Sequence, residues 1–567
     1  MNFPSGLIIF SVFLSLTWLL PNHYPPWAAF HLDAWAGFML LIASWHVFGY
    51  ARNIIHIPTI ALAAWVLILI IGLQLSFDLI FIPSTAFLGI NYLGAFALAV
   101  ILGSQSEQQR PKLAAHVLFL AVGIASILSV GMQLHQWLNL TTELLDIWSM
   151  GPSIGRPFAN FGQPNQLATF LLWGLFAIFW GYLHEQIRFA IALFAASFIL
   201  WGIALANSRT AMLGLVLMFI ASYWWRNLWP TRKIPWIMAG MILYLIAALL
   251  LIAWINTEFG FNSGEVVDSM SQMSAGQRFK AWRIFIDAIL LQPWFGYGFN
   301  QVKFAEMVAS DMHPALNVMF AQSHNLFIDF LLWFGVPIGL LCILGLLAWI
   351  FKLAKTIKKP EQAILWLMVL VIGNHAMFEL PLHYAYFLIP IGVVLGILDN
   401  NTKLSFSFNP EFSISKTSMI VLLVLISISY SIVIKEYLIS EQSYRDIRFE
   451  LANFRDQPRS TEPDVLVLTE FRDFIRMARM NPEELVSDEE IDRARRIVST
   501  SPSPAGLYKY AVALSLRHEN EKARLWLQRL CKVMDKSQCA AVKVQWLAKS
   551  QTEVDLQNVD WKMIEQN

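Results

Sequence analysis

Apolar runs about twenty residues long, broken by short polar loops, fill the first three-quarters of this 567-residue chain, and amphipathic stretches replace them towards its end. A bilayer core of about 30 Å takes about 20 residues of helix to cross, and a helix satisfies its own backbone hydrogen bonds where water cannot. Thirteen segments fit: 5–20, 28–48, 55–75, 86–103, 113–133, 165–183, 188–206, 210–225, 236–255, 325–351, 362–379, 384–398 and 418–434. The pattern predicts an all-α protein, a polytopic membrane helix bundle over residues 1–435 with a soluble helical domain over 436–567. Two stretches between spans are long, 134–164 and 256–324. In the tail, helical periodicity recurs around Tyr444–Phe454, Leu466–Met480, Asp488–Val498, Ala505–Arg517 and Glu521–Val533. Helix pairs of this kind can stack as tetratricopeptide units do, but no 34-residue period is visible.

Composition agrees with that division. The chain is 57% hydrophobic and 14% charged, where an ordinary globular protein is about 25% charged. Residues 1–435 carry 20 Lys+Arg and 17 Asp+Glu, and the much shorter 436–567 carries 20 and 22. No basic stripe is available to neutralise nucleic-acid phosphates. No Lys or Arg precedes Arg52, so the first apolar segment lacks the basic flank of a signal peptide and reads as a retained span.

Loop charge then orients the bundle. A cytoplasmic N-terminus puts Arg52, Arg110, Lys112, Arg188, Arg226, Arg232, Lys233, Lys352, Lys355, Lys358, Lys359, Lys403 and Lys416 inside. The short outer loops keep only Arg156 and Arg209, with Lys435 at the outer end of the last span. The positive-inside rule favours this arrangement, and an odd number of spans sends the tail outside. Cys531 and Cys539 both lie in that tail, where an oxidising compartment would let them pair; two ordinary helix-core cysteines are the other reading. Cys342 falls inside a span.

Polar side chains at the outer span ends are costly to keep near lipid, so function is to be sought among them. Gly155–Gln166 leads into the sixth span and offers Arg156, Gln163, Asn165 and Gln166, directional hydrogen-bonding groups that suit a sugar or phosphate better than a cation. A capped, turn-rich loop would use the same residues. Arg209, at the junction of two apolar helices, is either a snorkelling side chain or a fork for phosphate oxygens. In the long outer loop Arg278, Lys280 and Arg283 are spaced so that some share a helix face, followed by Gly296-Tyr297-Gly298. His324 and Asn325 open the tenth span with Asp329 just beyond, and a histidine there can take a proton from an attacking hydroxyl. Glu379, His383, Tyr384 and Tyr386 fall on the same side by topology. His324 and His383 invite a metal reading, but no His-x3-His or aspartate-rich spacing supports one.

Arginines, amides and a histidine on the outer face suit a lipid-linked pyrophosphate and transfer of what it carries. With them the chain resembles the bacterial O-oligosaccharyltransferases of the PglL type, within the wider group of O-antigen ligases and polymerases. The resemblance rests on Pro21–Trp27, Gly155–Thr169, Ser208-Arg209, Arg278 with Pro293–Gly298, Ser323-His324-Asn325 with Gly335, and Glu379–Tyr384, in family order. The ligase branch shares Arg209, Arg278 and His324 but usually lacks the Gln-Pro-Asn-Gln segment and a long charged tail, so the protein-modifying branch is favoured. The resemblance implies an undecaprenyl-pyrophosphate-linked oligosaccharide as donor and a serine or threonine of pilin or another exported protein as acceptor. It also implies a multi-pass protein of the bacterial inner membrane with site and C-terminus in the periplasm. No cofactor or metal is expected, because a pyrophosphate leaves readily once its charge is paired and no acidic metal motif stands in either long outer loop. His324 would be the general base, and Arg209 and Arg278 would stabilise the departing pyrophosphate. Gln163, Gln166 and Tyr384 would orient sugar or acceptor.

Two other readings stand beside this one. An O-antigen ligase or polymerase uses the same donor and differs in acceptor. A lipid-linked glycan transporter would need charged residues buried within spans, and Asp329 and Glu379 come nearest to that.

Overall fold

A computed structural model describes residues 4–51, 53–140, 147–151, 155–261, 275–402, 412–452, 462–484 and 487–565. Arg52, Lys403, the end of the Tyr444–Phe454 stretch and parts of both long outer segments lie outside the described residues. All thirteen apolar segments contain a helix. They are α1 (Ser5–Ser15), α2 (Phe30–Gly49), α3 (Thr59–Ser76), α4 (Pro83–Gln109), α5 (Leu113–Trp137), α6 (Pro164–Leu183), α7 (Phe189–Ala206), α8 (Arg209–Trp224) and α9 (Ile234–Phe259). After α10 (Ala275–Leu291) and α11 (Val302–Ala309), both in the long outer segment, come α12 (Leu326–Thr356), α13 (Pro360–Ala376), α14 (Ala385–Thr402) and α15 (Lys416–Leu451). The tail adds α16 (Thr469–Arg479), α17 (Asp488–Thr500), α18 (Pro504–Leu516), α19 (Asn520–Val533) and α20 (Lys536–Ser550). Among the described residues nine helices are long and apolar enough to cross a membrane: α2 to α7, α9, α12 and α15. Three shorter apolar helices, Ser5–Trp18, Arg209–Trp224 and Ala385–Asn401, fall below that length. The protein is an all-α, multi-pass membrane protein.

Two features depart from the sequence expectation. The last apolar helix does not end near residue 434, because α15 runs on to Leu451 and takes in most of the first amphipathic stretch of the tail. Residues 54–56 are not helical but form a short strand, β1 (Ile54–His56), paired antiparallel with β2 (Ser413–Ser415). Pro58 opens the following helix, so the chain before it is biased to extended backbone.

The chain packs as two compact units. Unit 1 comprises Met1–Val66, Tyr92–Gln272 and Leu347–Tyr430; unit 2 comprises Leu67–Asn91, Met273–Leu346 and Ser431–Asn567. In unit 1, α6 packs on both α5 and α7, and α1 lies against α5. Trp18, Phe161, Phe170, Trp173, Tyr386 and Phe387 are fully buried and stack or meet edge to face, with ring centroids 4.9 to 6.3 Å apart. Such packing, rather than hydrophobic expulsion, holds helices together where the solvent is itself apolar.

In unit 2 the tail helices build a core around Leu507, Tyr510, Leu527, Leu530 and Trp546, which Met307 of α11 joins. Glu436 on α15 accepts the backbone N–H groups of Leu466, Val467 and Leu468, each at 2.9 Å, tying the tail's return to its leading helix. Ser487 with Glu490 makes a capping box at α17. Arg529 bonds both carboxylate oxygens of Asp311, and Arg496 bonds both of Asp78 at 2.6 Å. Cys531 and Cys539 form a disulfide that joins the end of α19 to α20. Purified protein is therefore expected to keep both thiols blocked to alkylation until reduced, while Cys342 reacts without reductant once the protein is denatured; two freely alkylated tail cysteines in unreduced protein would contradict the pairing.

Candidate functional site

In unit 1 the 155–166 segment is strapped to the end of α5 by two buried glutamines. Gln136 accepts the N–H groups of Phe158 (3.0 Å) and Ala159 (2.8 Å) and donates to the carbonyls of Ala159 (2.9 Å) and Met150 (3.1 Å). Gln133, one turn earlier, donates to Pro157 (3.2 Å) and to Gly202 of α7 (3.1 Å). Asn160 is fully buried and donates to Leu19 (2.6 Å) and Trp148 (2.8 Å). A buried amide left unmade costs about 1–3 kcal/mol, so the loop's shape is held by the helix beneath it. Gly162 has φ +70° with the His23 imidazole packed on its Cα, and a side chain there would strike the ring. Burial lowers the His23 pKa from its ordinary value.

The sequence-predicted residues of unit 1 meet along this loop. Gln163 Nε2 donates to Glu379 Oε2 (3.3 Å) and Asn165 Nδ2 to Glu379 Oε1 (3.2 Å). Gln166 Nε2 donates to Gln163 Oε1 (2.7 Å), and its own Oε1 accepts the Tyr386 hydroxyl. Tyr384 stacks on Tyr386 with centroids 5.1 Å apart. Arg156 donates to Asn165 Oδ1 (3.5 Å) and to the carbonyls of Ala206 (3.3 Å) and Asn207 (3.1 Å), the turn that precedes Arg209. Asn207 is left-handed, Ser208 caps α8, and Arg209 at its first turn is exposed. His383 ends a short 3₁₀ turn and is half-buried.

Asp33 joins this set, although nothing flagged it in the sequence. It is buried at the start of α2, accepts the Tyr92 hydroxyl (2.6 Å) and faces the Tyr386 N–H (3.3 Å). Asp329 and Glu379 are therefore not alone: Asp33 in α2, Glu107 in α4 and Glu436 and Glu441 in α15 are also buried carboxylates on apolar helices. Gln133 and Gln136 are likewise absent from the sequence-based candidates; the signal was two amides three residues apart at the end of an otherwise apolar helix.

In unit 2 His324 sits at the end of a segment held from several directions. Asn317 donates its backbone N–H to Lys532 O (2.9 Å) and its side chain to Cys531 O (3.0 Å). Glu306, fully buried, accepts the Phe320 N–H at 2.7 Å, and burial pushes its pKa well up. Trp282 of α10 donates to Ser323 O (2.9 Å), and Ser323 N–H reaches Asp329 Oδ1 (3.0 Å). Asn325 caps α12 through Phe327 N–H (3.0 Å) and Ile328 N–H (3.3 Å). Between these caps His324 takes φ +56°, an uncommon backbone for a side chain of its size, and is half-buried with its ring edge-on to Phe320 at 6.0 Å.

Arg278 lies one turn before Trp282 on α10 and is half-buried, so both belong to the helix face that meets the Ser323 segment. Lys280 and Arg283, on the same helix, are exposed. The Pro293–Gly298 turn owes its glycine to close backbone approach. Gly296 (φ +67°) and Gly335 (φ +74°) abut, with Tyr297 N–H bonded to Leu332 O and Val336 N–H to Pro293 O at 2.7 Å each. A methyl group on Gly296 would collide with the backbone of Leu332 and Gly335, and one on Gly335 with the backbone of Trp294 and Phe295. Among the described residues no group of three or more His, Cys, Asp or Glu side chains is placed to hold a metal ion.

The structure is thus that of a multi-pass helical membrane protein with amide- and guanidinium-rich segments at its span ends. Residues 193–344 match the family model described as O-Antigen ligase, residues 157–180 that of Protein glycosylation ligase, and residues 363–549 that of Virulence factor membrane-bound polymerase, C-terminal. A General O-oligosaccharyltransferase of Acinetobacter baylyi is 30% identical over 546 residues, which is 93% of this chain and 92% of that protein. A ComP-specific O-oligosaccharyltransferase of the same organism is 27% identical over 366 residues, 62% of this chain and 63% of that protein. The chain belongs to the O-oligosaccharyltransferase family and is an enzyme of glycosyltransferase type.

Proposed function

We propose that this enzyme transfers a preassembled oligosaccharide from undecaprenyl pyrophosphate to serine or threonine hydroxyls of pilin or another exported protein. It works in the bacterial inner membrane, with its transferring residues and its 436–567 helical domain on the periplasmic side. The observation that carries this reading is the strapped 155–166 loop, whose Gln163, Asn165 and Gln166 lie within the segment that matches the Protein glycosylation ligase model. The positive-inside charge of the short loops and the Cys531–Cys539 disulfide support the orientation.

The roles follow from each residue's chemistry. His324 takes the proton of the acceptor hydroxyl, whose oxygen forms the new bond to the anomeric carbon as the bond to the pyrophosphate oxygen breaks. Asn325 and Asp329 fix the backbone that presents it. Arg209 and Arg278 balance the charge that grows on the departing pyrophosphate, as preorganised donors do at other developing anions. Lys280 and Arg283, exposed as Arg209 is, add positive charge for binding the donor. Gln163, Asn165, Gln166, Tyr384 and His383 orient sugar or acceptor, with Glu379 and Arg156 holding the amides in register. A pyrophosphate whose charge is paired leaves readily, so a metal is not chemically compulsory for the bond exchange.

The second reading, O-antigen ligation, is favoured by the match of residues 193–344. Both readings share the donor, so the acceptor decides. Expressed in a ligase-deficient strain that makes the lipid-linked glycan and a pilin, this protein is expected to yield glycosylated pilin without restoring O-antigen. Restored O-antigen with unmodified pilin would assign it to the ligases instead.

A further inference from the structure

Unit 1 has a second polar feature at the end of the bundle remote from the 155–166 loop. The helices themselves define that end: α5 starts there at Leu113 and finishes beneath the loop, and α13 starts there at Pro360 and leads to Glu379. A cavity of about 830 Å³ opens among the ends of α4, α5, α6, α12, α13 and α14. Trp180, Leu365 and Ile397 form part of its wall and are almost fully buried, whereas Lys112, Lys355, Lys358 and Lys359 come from the helix ends. The volume lies in the range of sites that enclose a small organic ligand.

Charge balance points to what fills it. The two carboxylates in the lining are already engaged. Glu361 accepts the Lys112 ammonium at 2.6 Å, and Glu107 accepts the Lys112 backbone N–H at 2.8 Å and the Asn401 amide at 3.3 Å. Lys355, Lys358 and Lys359 are exposed, and none has a carboxylate partner among the described residues. Lys355 instead lies over the Phe351 ring, 4.4 Å from its centroid. Three ammonium groups within five residues of chain repel one another unless an anion lies between them. A free inorganic ion would need only the lysines. An apolar wall beneath a cationic rim matches a molecule that carries its phosphate on a hydrocarbon body, and basic pockets between membrane helices take such headgroups elsewhere.

We propose that this cavity binds the phosphodiester headgroup of an anionic phospholipid, through Lys355, Lys358 and Lys359, at a site separate from the one that transfers glycan. The test uses the full-length protein in detergent, offered phosphatidylglycerol, phosphatidylcholine or inorganic phosphate, with bound species read by native mass spectrometry. Phosphatidylglycerol is expected to be retained well above phosphatidylcholine, and millimolar inorganic phosphate is expected not to displace it. A triple K355Q/K358Q/K359Q variant should lose roughly fivefold in affinity per lysine, on the order of a hundredfold in all, while K355R/K358R/K359R keeps the lipid. The arginine variant also controls for folding. Equal retention of phosphatidylglycerol by the glutamine variant and the wild type would overturn the site. Equal retention of both lipids, or displacement by inorganic phosphate, would overturn the lipid headgroup as its ligand.

Discussion

Replacing His324 with alanine is expected to slow glycan transfer by about 10²–10⁴-fold, the usual loss when a positioned acid–base group is removed, while the lipid-linked donor still binds. The backbone explains why the effect should be confined to the chemical step. Ser323 and Asn325 are bonded into the start of α12 and Trp282 holds the Ser323 carbonyl, so the segment keeps its course when the imidazole is lost. His324→Gln should fare no better than alanine, because an amide hydrogen-bonds but does not accept the proton. Donor binding and transfer would be measured side by side on protein of matched membrane level. Transfer by His324→Ala at the wild-type rate would remove His324 as the base.

Arg209→Ala and Arg278→Ala are expected to fail differently, weakening donor binding as well as turnover. A hydrogen bond to a charged group contributes about 1.5–3 kcal/mol, so each loss should cost roughly tenfold to a hundredfold in donor affinity. Lysine at either position should recover only part, since an ammonium keeps the charge and lacks the planar fork. Arg209 is the cleaner probe: it is exposed at the first turn of α8, and its replacement removes no buried contact. Normal donor binding by both alanine variants would move the pyrophosphate contacts to Arg156, Lys280 or Arg283.

Much of this architecture was legible because membrane helices are written in one physical constraint, length of apolar sequence. All thirteen apolar segments proved to contain helices, and four of the five amphipathic tail stretches matched α16 to α19 within a few residues. What was missed has physical causes too. The β1–β2 pair is three residues long on each strand, and its first strand is apolar enough to read as the beginning of α3. The Lys536–Ser550 helix presents only Val542 and Trp546 as buried residues, too few to set a period. Asp33 was hidden because a single carboxylate does not interrupt an apolar run, and its partners Tyr92 and Tyr386 are distant in sequence. The candidate residues were legible as chemical types at span ends. That Gln163, Asn165 and Glu379 bond one another was not, because the contact spans 214 to 216 residues of chain.

The most direct measurement is transfer by the purified enzyme. Full-length protein would be incubated with an undecaprenyl-pyrophosphate-linked oligosaccharide and an unmodified pilin, and the pilin's intact mass and modified residue read by mass spectrometry. The expected result is a mass increase equal to the whole oligosaccharide on a serine or threonine, present with the wild type and reduced to trace with His324→Ala. A pilin that keeps its unmodified mass in the presence of active enzyme and intact donor would contradict protein O-glycosylation as the function.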